Sequence, residues 1–384
     1  MISRAARTIF HDEWMLQLNR GSDIMTKRFH ALLTIVTLTL MGPGARAGEV
    51  YHHYFGSTHA HSCYSDGKSE TPADHFRKAK AAGYDFYAVT DHALAKYKQF
   101  TAQSYETTKR EAVDFTDDKF IGIVGFEFSE NDGPGGKGHL TALNTAGYLD
   151  ATGPKVTLST FYDWLVTNQP TTVAASFNHP GKDTYNGYDY LTPARRDGIT
   201  MFEMINGGKP HYEAFLAALN KGWRVAPIAA LDAHGAWRIT NESYRTGVLA
   251  PSLTRENIMQ ALHERRAYCT LDKNLRLTFS ANGSIMGSVL SNPSSLSFRV
   301  DVLDPDIFDA NDRITRIEII GENGVLVAAR SFSAHAASWS PTCVPAGKYY
   351  FAVVYSADKT DGPTAYSAPV WIEQQPVDKP AVKE

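Results

Sequence analysis

The feature that most constrains this chain is a series of histidines and acids, each placed where a short apolar run ends. His59 and His61 lie with Asp66 in the stretch 56–67, and Asp91-His92 follows Ala88-Val89-Thr90. Glu127, His139, His179 within Asn178-His179-Pro180, and Asp232-Ala233-His234 complete the series. About 175 residues separate the first from the last, so they can act together only in a fold that gathers strand ends at one edge. Open α/β sheets and α/β barrels do this, because ligands collect at the C-terminal ends of their strands. Imidazole and carboxylate form the donor set of divalent zinc, manganese or iron. A polynuclear cluster of that kind acidifies water and spends it on hydrolysis. An H-x-H pair alone is as readily structural; the joint occurrence at successive strand ends is what points to metal.

The local patterns agree. Strands are expected at 50–57, 86–90, 120–128, 140–144, 173–177, 199–205 and 225–231. Helices are expected at 72–82 (Thr71 cap, Pro72 first, Gly83 stop), 104–115, 159–166, 212–220 and, after the Thr254 cap, to 264. Strands alternating with helices at this rhythm imply a parallel sheet or a barrel. After about residue 275 the helices stop. Short alternating runs at 275–281, 296–302, 314–320, 325–331 and 349–355, split by turns such as Asp304-Pro305-Asp306, read as a small antiparallel β-sandwich. The tail from Gln374 is rich in Pro, Lys and Glu and is expected to fray.

Residues 1–47 read as an extension plus a secretory signal. Lys27-Arg28 after Met25 is a basic start, 31–41 an apolar run, and Ala45-Arg46-Ala47 a cleavage site before Gly48, with Met25 the expected true start. About 11 apolar residues are too few to cross a ~30 Å hydrocarbon core, so no stable membrane insertion is expected after cleavage. The mature protein is then periplasmic or secreted. Its removal takes six basic and three acidic residues and changes the formal charge from −3 to −6. That balance gives no bulk attraction to nucleic acid. Cys63, Cys269 and Cys343 are too few and too far apart for a disulfide scaffold, though one bridge remains open. Nothing in the residues fixes an oligomeric state. The expected division is 48–275 for the metal-binding domain, 276–373 for the β-sandwich and 374–384 for the tail.

The run from His59 to Gly67, with Thr90-Asp91-His92, resembles the opening motifs of the PHP (polymerase and histidinol phosphatase) family, over roughly 51–275. The later Tyr244–Leu249 segment and Arg265-Arg266-Ala267-Tyr268 resemble its secreted, carbaryl-hydrolase-like branch. The resemblance implies a distorted (β/α)7 barrel with three divalent ions at its mouth. It implies that His59, His61 and Asp232 hold a first ion, and that Glu127 bridges it to a second held by His139 and His179. Asp66, His92 and His234 would hold a third, which would take a substrate oxygen. Glu127 and Asp232 are thereby catalytic as well as ligating, and Asp91 orients a ligand rather than binding metal.

Arg245 is the expected clamp for an anionic substrate; Arg238 and Lys182 are weaker candidates. His211 follows Gly207-Gly208 and could touch substrate, whereas His52, His53 and His75 are expected to be surface or packing residues. The loop Gly133–Gly138 lacks the Lys-Ser/Thr of a phosphate-binding loop, and no G-x-S-x-G elbow is present. The leading expectation is a metal-dependent phosphoesterase acting on a small ester. The alternative is a carbamate or carboxylic ester hydrolase, for which Tyr185, Tyr188, Tyr190, Trp237 and Tyr244 could line an apolar pocket. A non-catalytic metal-stabilised binding module is the third possibility.

Overall fold

A computed structural model describes residues 50–130, 138–153, 155–168, 173–180, 184–357, 359 and 362–373. The signal segment, Gly48, most of the 133–138 loop, Lys182 and the tail lie outside them.

The first half of the described chain holds ten strands and seven helices. The strands are β1 (His52–Ser57), β2 (Phe86–Val89), β3 (Ile121–Glu130), β4 (Gly138–Leu143), β5 (Ala174–Phe177), β6 (Met201–Asn206), β7 (Lys209–Pro210), β8 (Ala226–Ala230), β9 (Arg245–Ala250) and β10 (Ala267–Thr270). The helices are α1 (Pro72–Ala81), α2 (Ala102–Asp114), α3 (Leu158–Asn168), α4 (Pro193–Gly198), α5 (Tyr212–Lys221), α6 (Trp237–Asn241) and α7 (Arg255–His263). Helix starts follow local chemistry. In α1, Thr71 Oγ1 accepts from Asp74 N and the Asp74 carboxylate accepts from Thr71 N, closing a reciprocal cap. Helix α2 begins earlier than its apolar pattern predicts because Thr101 and Ser104 cap it in the same way.

The sheet is mixed rather than wholly parallel. Strands β1, β2 and β3 are parallel, as are β5, β6 and β8. Between them β4 runs antiparallel to both β3 and β5. The seven residues joining β3 to β4 are too few for a crossover helix, and a chain that returns directly must pair antiparallel. Strand β9 adds antiparallel to the free edge of β1, and β10 to β9. The strands are buried on both faces. In β2, Phe86 and Ala88 join one core and Tyr87 and Val89 the other, which is why the segment reads as an uninterrupted apolar run.

The remaining strands are β11 (Arg276–Ala281), β12 (Ser284–Ile285), β13 (Val289–Ser291), β14 (Leu296–Leu303), β15 (Ile314–Gly321), β16 (Leu326–Ala334), β17 (Ala336–Trp339), β18 (Thr342–Cys343), β19 (Tyr349–Ser356), β20 (Ala365–Ser367) and β21 (Val370–Glu373). Strand β20 pairs with β10, and β19 continues the sheet, so the ladder runs without a break from the first half into the second. A second sheet, β12–β11–β14–β17 with β18 on β14, packs on it. Phe298 meets Tyr350 at 5.4 Å between ring centroids. Phe351 likewise meets Phe215 of α5 at 5.8 Å. The three cysteines are free. No helix among the described residues is long and apolar enough to cross a membrane.

Candidate metal centre

The end of β1 and the end of β8 lie side by side. Ala60 and Ala233 form a parallel bridge, and His61 N donates to Ala233 O at 2.9 Å. His59 and His61 flank Ala60, and Asp232 and His234 flank Ala233, and the side chains of all four meet in one cluster. Two motifs distant in sequence thus become one cluster. Gly67 closes the loop beneath it: a Cβ there would stand 1.9 Å from His61 O, so only glycine allows this approach. In β3, Phe126 and Phe128 enter the core; Glu127 and Ser129 alternate with them. Their cross-strand partners in β4 are Thr141 and His139, which brings His139 to the face carrying Glu127.

Glu127 is the centre. It is fully buried, and five imidazoles reach its two oxygens. On Oε1, His59 Nε2 lies at 3.3 Å, His139 Nδ1 at 3.4 Å and His179 Nε2 at 3.2 Å. On Oε2, His61 Nε2 lies at 3.4 Å and His92 Nδ1 at 2.9 Å. Asn178 Nδ2 donates to Oε1 at 2.8 Å. His59 Nε2 and His61 Nε2 are 3.0 Å apart, and Asp232 Oδ1 lies 3.1 Å from His61 Nε2 and 3.6 Å from His59 Nε2. Nearer the surface, Asp66 meets His92 Nε2 at 3.5 Å, His234 Nε2 at 3.4 Å and His61 Nδ1 at 3.5 Å. The structure therefore brings all nine sequence-selected residues together. It groups His61, Asp66, His92 and His234; His59, His61 and Glu127; and His92, Glu127 and His139. His61, His92 and Glu127 belong to two groups each, so the three sets share members.

These residues fit divalent cations on two grounds. Asp232 Oδ1 and Glu127 Oε2 are buried carboxylate oxygens that accept no hydrogen bond, a costly state for an anion unless a positive charge faces it. The electrostatics agree. Burial would lower the His59 pKa, but Glu127, Glu203 and Asp232 overcome it and hold it well above the usual value. Burial likewise opposes His92, and Glu127 and Asp66 still raise it to about 9. Burial and the neighbouring His92 push His61 down to about 4. Burial would raise Asp66, Glu127 and Asp232, yet the imidazoles around them hold all three well below the ordinary carboxylate range. The cluster demands positive charge at its carboxylates, which is what a divalent ion supplies.

Burial is graded. The side chains of His59, His61 and Glu127 are closed off, while Asp232 is 20% exposed, Asp66 33% and His234 40%. The Asp66–His234 side is the accessible rim. Tyr97 closes over it, donating to Asp66 Oδ2 at 3.0 Å and stacking on His92 at 5.2 Å with planes 6° apart. Two of the nine candidate residues carry left-handed backbone, His179 at φ 29° and Asp232 at φ 48°. For non-glycine residues that conformation is strained and persists where surroundings enforce it.

The remaining candidates separate. Asp91 is buried and accepts from Ser62 N at 2.7 Å, Ser62 Oγ at 2.6 Å and Ser65 Oγ at 2.6 Å. It holds the loop that carries His61. The Arg245 guanidinium lies 3.8 Å from the centroid of the Tyr84 ring and donates to the Glu242 and Tyr244 carbonyls, each at 2.8 Å. None of the nine cluster residues is among its partners. Arg238 is partly exposed, donates to Leu231 O at 3.0 Å next to Asp232, and lies over Trp237. Tyr185 and Tyr188 are buried and stacked, and the Tyr185 hydroxyl donates to the His139 and Asn178 carbonyls, so both brace the ligand strands from behind. Tyr190 packs against Tyr162, and the Tyr244 hydroxyl is buried without a hydrogen bond. Trp237 is half exposed. His211 is half-buried near Glu203 and His179, its pKa lowered by burial. His75 packs on Tyr87 and His53 on Tyr268.

Sequence reading missed Glu203 and Tyr97. Glu203 is fully buried in β6 and accepts from His59 Nδ1 at 2.6 Å. A signal existed: one carboxylate interrupts the apolar run Met201-Phe202-Glu203-Met204-Ile205, and a charge there requires a partner. Nothing local marks Tyr97.

No protein-family model matches the chain, and no curated protein matches it. Among solved structures it is similar to a two-domain protein from Bacteroides vulgatus containing a predicted PHP-like metal-dependent phosphoesterase. Identity is 17%, 86% of this chain and 98% of that one are covered, and the TM-score is 0.47. It is also similar to an amidohydrolase from Chromobacterium violaceum with bound sulfate and no metal, at 14% identity, 47% and 87% coverage and a TM-score of 0.28.

Proposed function

We propose that this protein is a metal-dependent phosphoesterase of PHP type, exported after loss of residues 1–47, that hydrolyses phosphate mono- or diesters with three divalent ions. One observation carries the reading: Glu127, buried and central, is met by five imidazoles within 2.9–3.4 Å. A single carboxylate so surrounded would be a ligand shared by neighbouring cation positions. Bound zinc, manganese or iron would acidify water and polarise the scissile group. The chain's own residues do the rest. Glu127 and Asp232 hold the inner positions, and Asp66 with His92 and His234 the accessible one. Tyr97 fixes the Asp66 carboxylate. Arg238, partly exposed beside Asp232, is better placed than Arg245 to meet a substrate anion. The scaffold is proposed to be a distorted (β/α)7 barrel over 48–275 with a β-sandwich over 276–373. Placement in the carbaryl-hydrolase-like branch is part of the same proposal, and the N-terminal basic, apolar and Ala-x-Ala order supports export.

A second reading, hydrolysis of a neutral aryl ester or carbamate, is favoured by Trp237, 52% exposed three residues after His234. The deciding experiment loads chelator-stripped protein with zinc or manganese. It compares p-nitrophenyl phosphate, a bis-aryl phosphate diester and 1-naphthyl acetate. Metal-dependent turnover of a phosphate ester, at about three ions per chain by elemental analysis, is the expected result. Turnover of the acetate alone would replace the first reading by the second. Full activity with one ion or fewer would end the three-ion scheme.

A further inference from the structure

We propose that Glu203 is a positioning residue serving two cation positions at once, setting the tautomer of His59 and the backbone of His179. The inference rests on the metal reading above. Glu203 itself is not one of the nine candidate ligands.

Glu203 sits on β6, one strand over from β5, whose end carries His179. Its Oε1 lies 2.6 Å from His59 Nδ1. Its Oε2 accepts from His179 N at 2.7 Å and from Asn206 Nδ2 at 2.9 Å. A carboxylate only accepts, so His59 Nδ1 must carry the proton. His59 Nε2, the atom facing His61, Glu127 and Asp232, is then the free donor for a cation. This is how outer carboxylates fix the tautomer of ligating histidines. The other oxygen does a different task. His179 holds φ 29°, and the Glu203 bond to its N–H helps to enforce that strained turn. The turn delivers His179 Nε2 to Glu127 Oε1 at 3.2 Å. The same Glu127 oxygen is met by His59 Nε2 at 3.3 Å. One buried carboxylate thus supports two of the three imidazoles around Glu127 Oε1.

The arrangement makes Glu203→Gln a sharp test. Glutamine keeps the length but has one accepting end and one donating end. Facing its NH2 to His59 demands the opposite tautomer and turns Nε2–H toward Glu127. Facing it to His179 sets donor against donor and releases the strained turn. Either orientation damages one inner position. Asp66 and His234, which Glu203 does not touch, are untouched.

Zinc is titrated calorimetrically into the chelator-stripped full chain, wild type and Glu203→Gln, with circular dichroism and thermal melts as folding controls. The expected result is a 10–100-fold weaker affinity for the inner ions, with the outermost ion bound as in wild type and the fold retained. Wild-type affinity for every ion would overturn the proposal, as would equal weakening of all ions. If the wild type itself takes up no zinc, the metal reading fails instead, so the two failures are distinguishable. Should the variant not fold, 15N-histidine spectra of the zinc-loaded wild type decide: His59 ligated through Nε2 with a proton on Nδ1 supports the proposal, and ligation through Nδ1 refutes it.

Discussion

Two acidic clusters in this molecule, one interleaved with histidines and one made of aspartates alone, shift carboxyl pKa values in opposite directions, the second at Asp304. In the first, Asp66, Glu127 and Asp232 stand among six imidazoles, and their pKa values fall well below the ordinary range. In the second, Asp272, Asp304 and Asp312 bring carboxylate oxygens within 4.8 Å of one another, and no histidine belongs to the group. There, burial followed by Asp272 and Asp312 lifts the Asp304 pKa to about 7, although Asp306 N donates to it. Burial penalises both sets; the imidazoles decide the sign. Convergent carboxylates by themselves only compete for a proton. Carboxylates interleaved with imidazoles form a site whose demand is for positive charge.

Glu127→Gln breaks the first cluster at its centre and carries the largest expected effect. It keeps the shape and removes the charge that five imidazoles surround. We expect loss of at least one ion and a rate reduced by about 10²–10³, or roughly 3–4 kcal/mol. Near-normal turnover would overturn the metal mechanism.

Truncation to 48–275 separates the clusters, since it removes Asp304 and Asp312 and spares all nine imidazole-site residues. It also strips β20 from β10 and Phe351, Tyr366 and Trp371 from the core that holds Phe215. Exposing that apolar surface and an unpaired strand edge should leave the fragment poorly soluble. A soluble, metal-binding and active fragment would show instead that the proposed domains are independent.

His234→Ala tests the rim. His92 touches both Asp66 and Glu127, so its loss mixes two positions, whereas the carboxylates that His234 meets are Asp66 and Asp232. Metal analysis is expected to find the outermost ion missing and the inner ones present. Loss of all ions together would mean that the shared ligands make the cluster a single cooperative unit.

Paired arginine variants sharpen the substrate question. Arg245→Ala removes a buried side chain stacked on Tyr84 and is expected to cost about 1–3 kcal/mol of stability, with phosphate and neutral esters affected alike. Arg238→Ala should leave the melting temperature almost unchanged and slow only the anionic substrate. A phosphate-selective loss in the Arg245 variant would restore that residue as the clamp.

The smallest expected effect lies in the second cluster. Asp304 has a folded pKa of about 7 against an ordinary 3.8. The folded protein therefore holds a proton that the unfolded chain releases. The stabilising contribution is full below the ordinary value and is lost as pH rises through 7. Asp304→Asn keeps an acceptor for Asp306 N and cannot ionise. It should raise the melting temperature by about 1–3 °C at pH 8 and by less at pH 5. Equal shifts at both pH values would show that Asp304 carries no such cost.

The contrast also marks how far residues alone could be read. The nine imidazole-site residues could be selected because most stand at or just beyond the ends of apolar runs; Glu127 lies within β3 and His139 at the start of β4, and the pairing of those two strands brings them to one face. Helices α1, α5 and α7 were legible through Thr71-Pro72, Gly222 and Thr254. Arg245 was selected for its charge, but its stack on Tyr84 depends on β9 pairing with β1, about 190 residues away in sequence. Short strands such as β20, β21 and β17 carry too few residues for a period to show, and they form because a long neighbour offers them an edge.

By itself the sequence determined the local terms: which segments are apolar, where helices are capped, and which donors close each strand. These rest on interactions within a few residues and survive without the rest of the chain. Tertiary structure alone decided that Ala60 meets Ala233, that β4 reverses the sheet, that the ladder runs on through β20, and that Glu203 reaches both His59 and His179. The farthest of those contacts, between Ala60 and Ala233, joins residues 173 positions apart. Their formation depends on closing long loops against entropy, and only the assembled sheet, with both faces buried, makes that closure favourable.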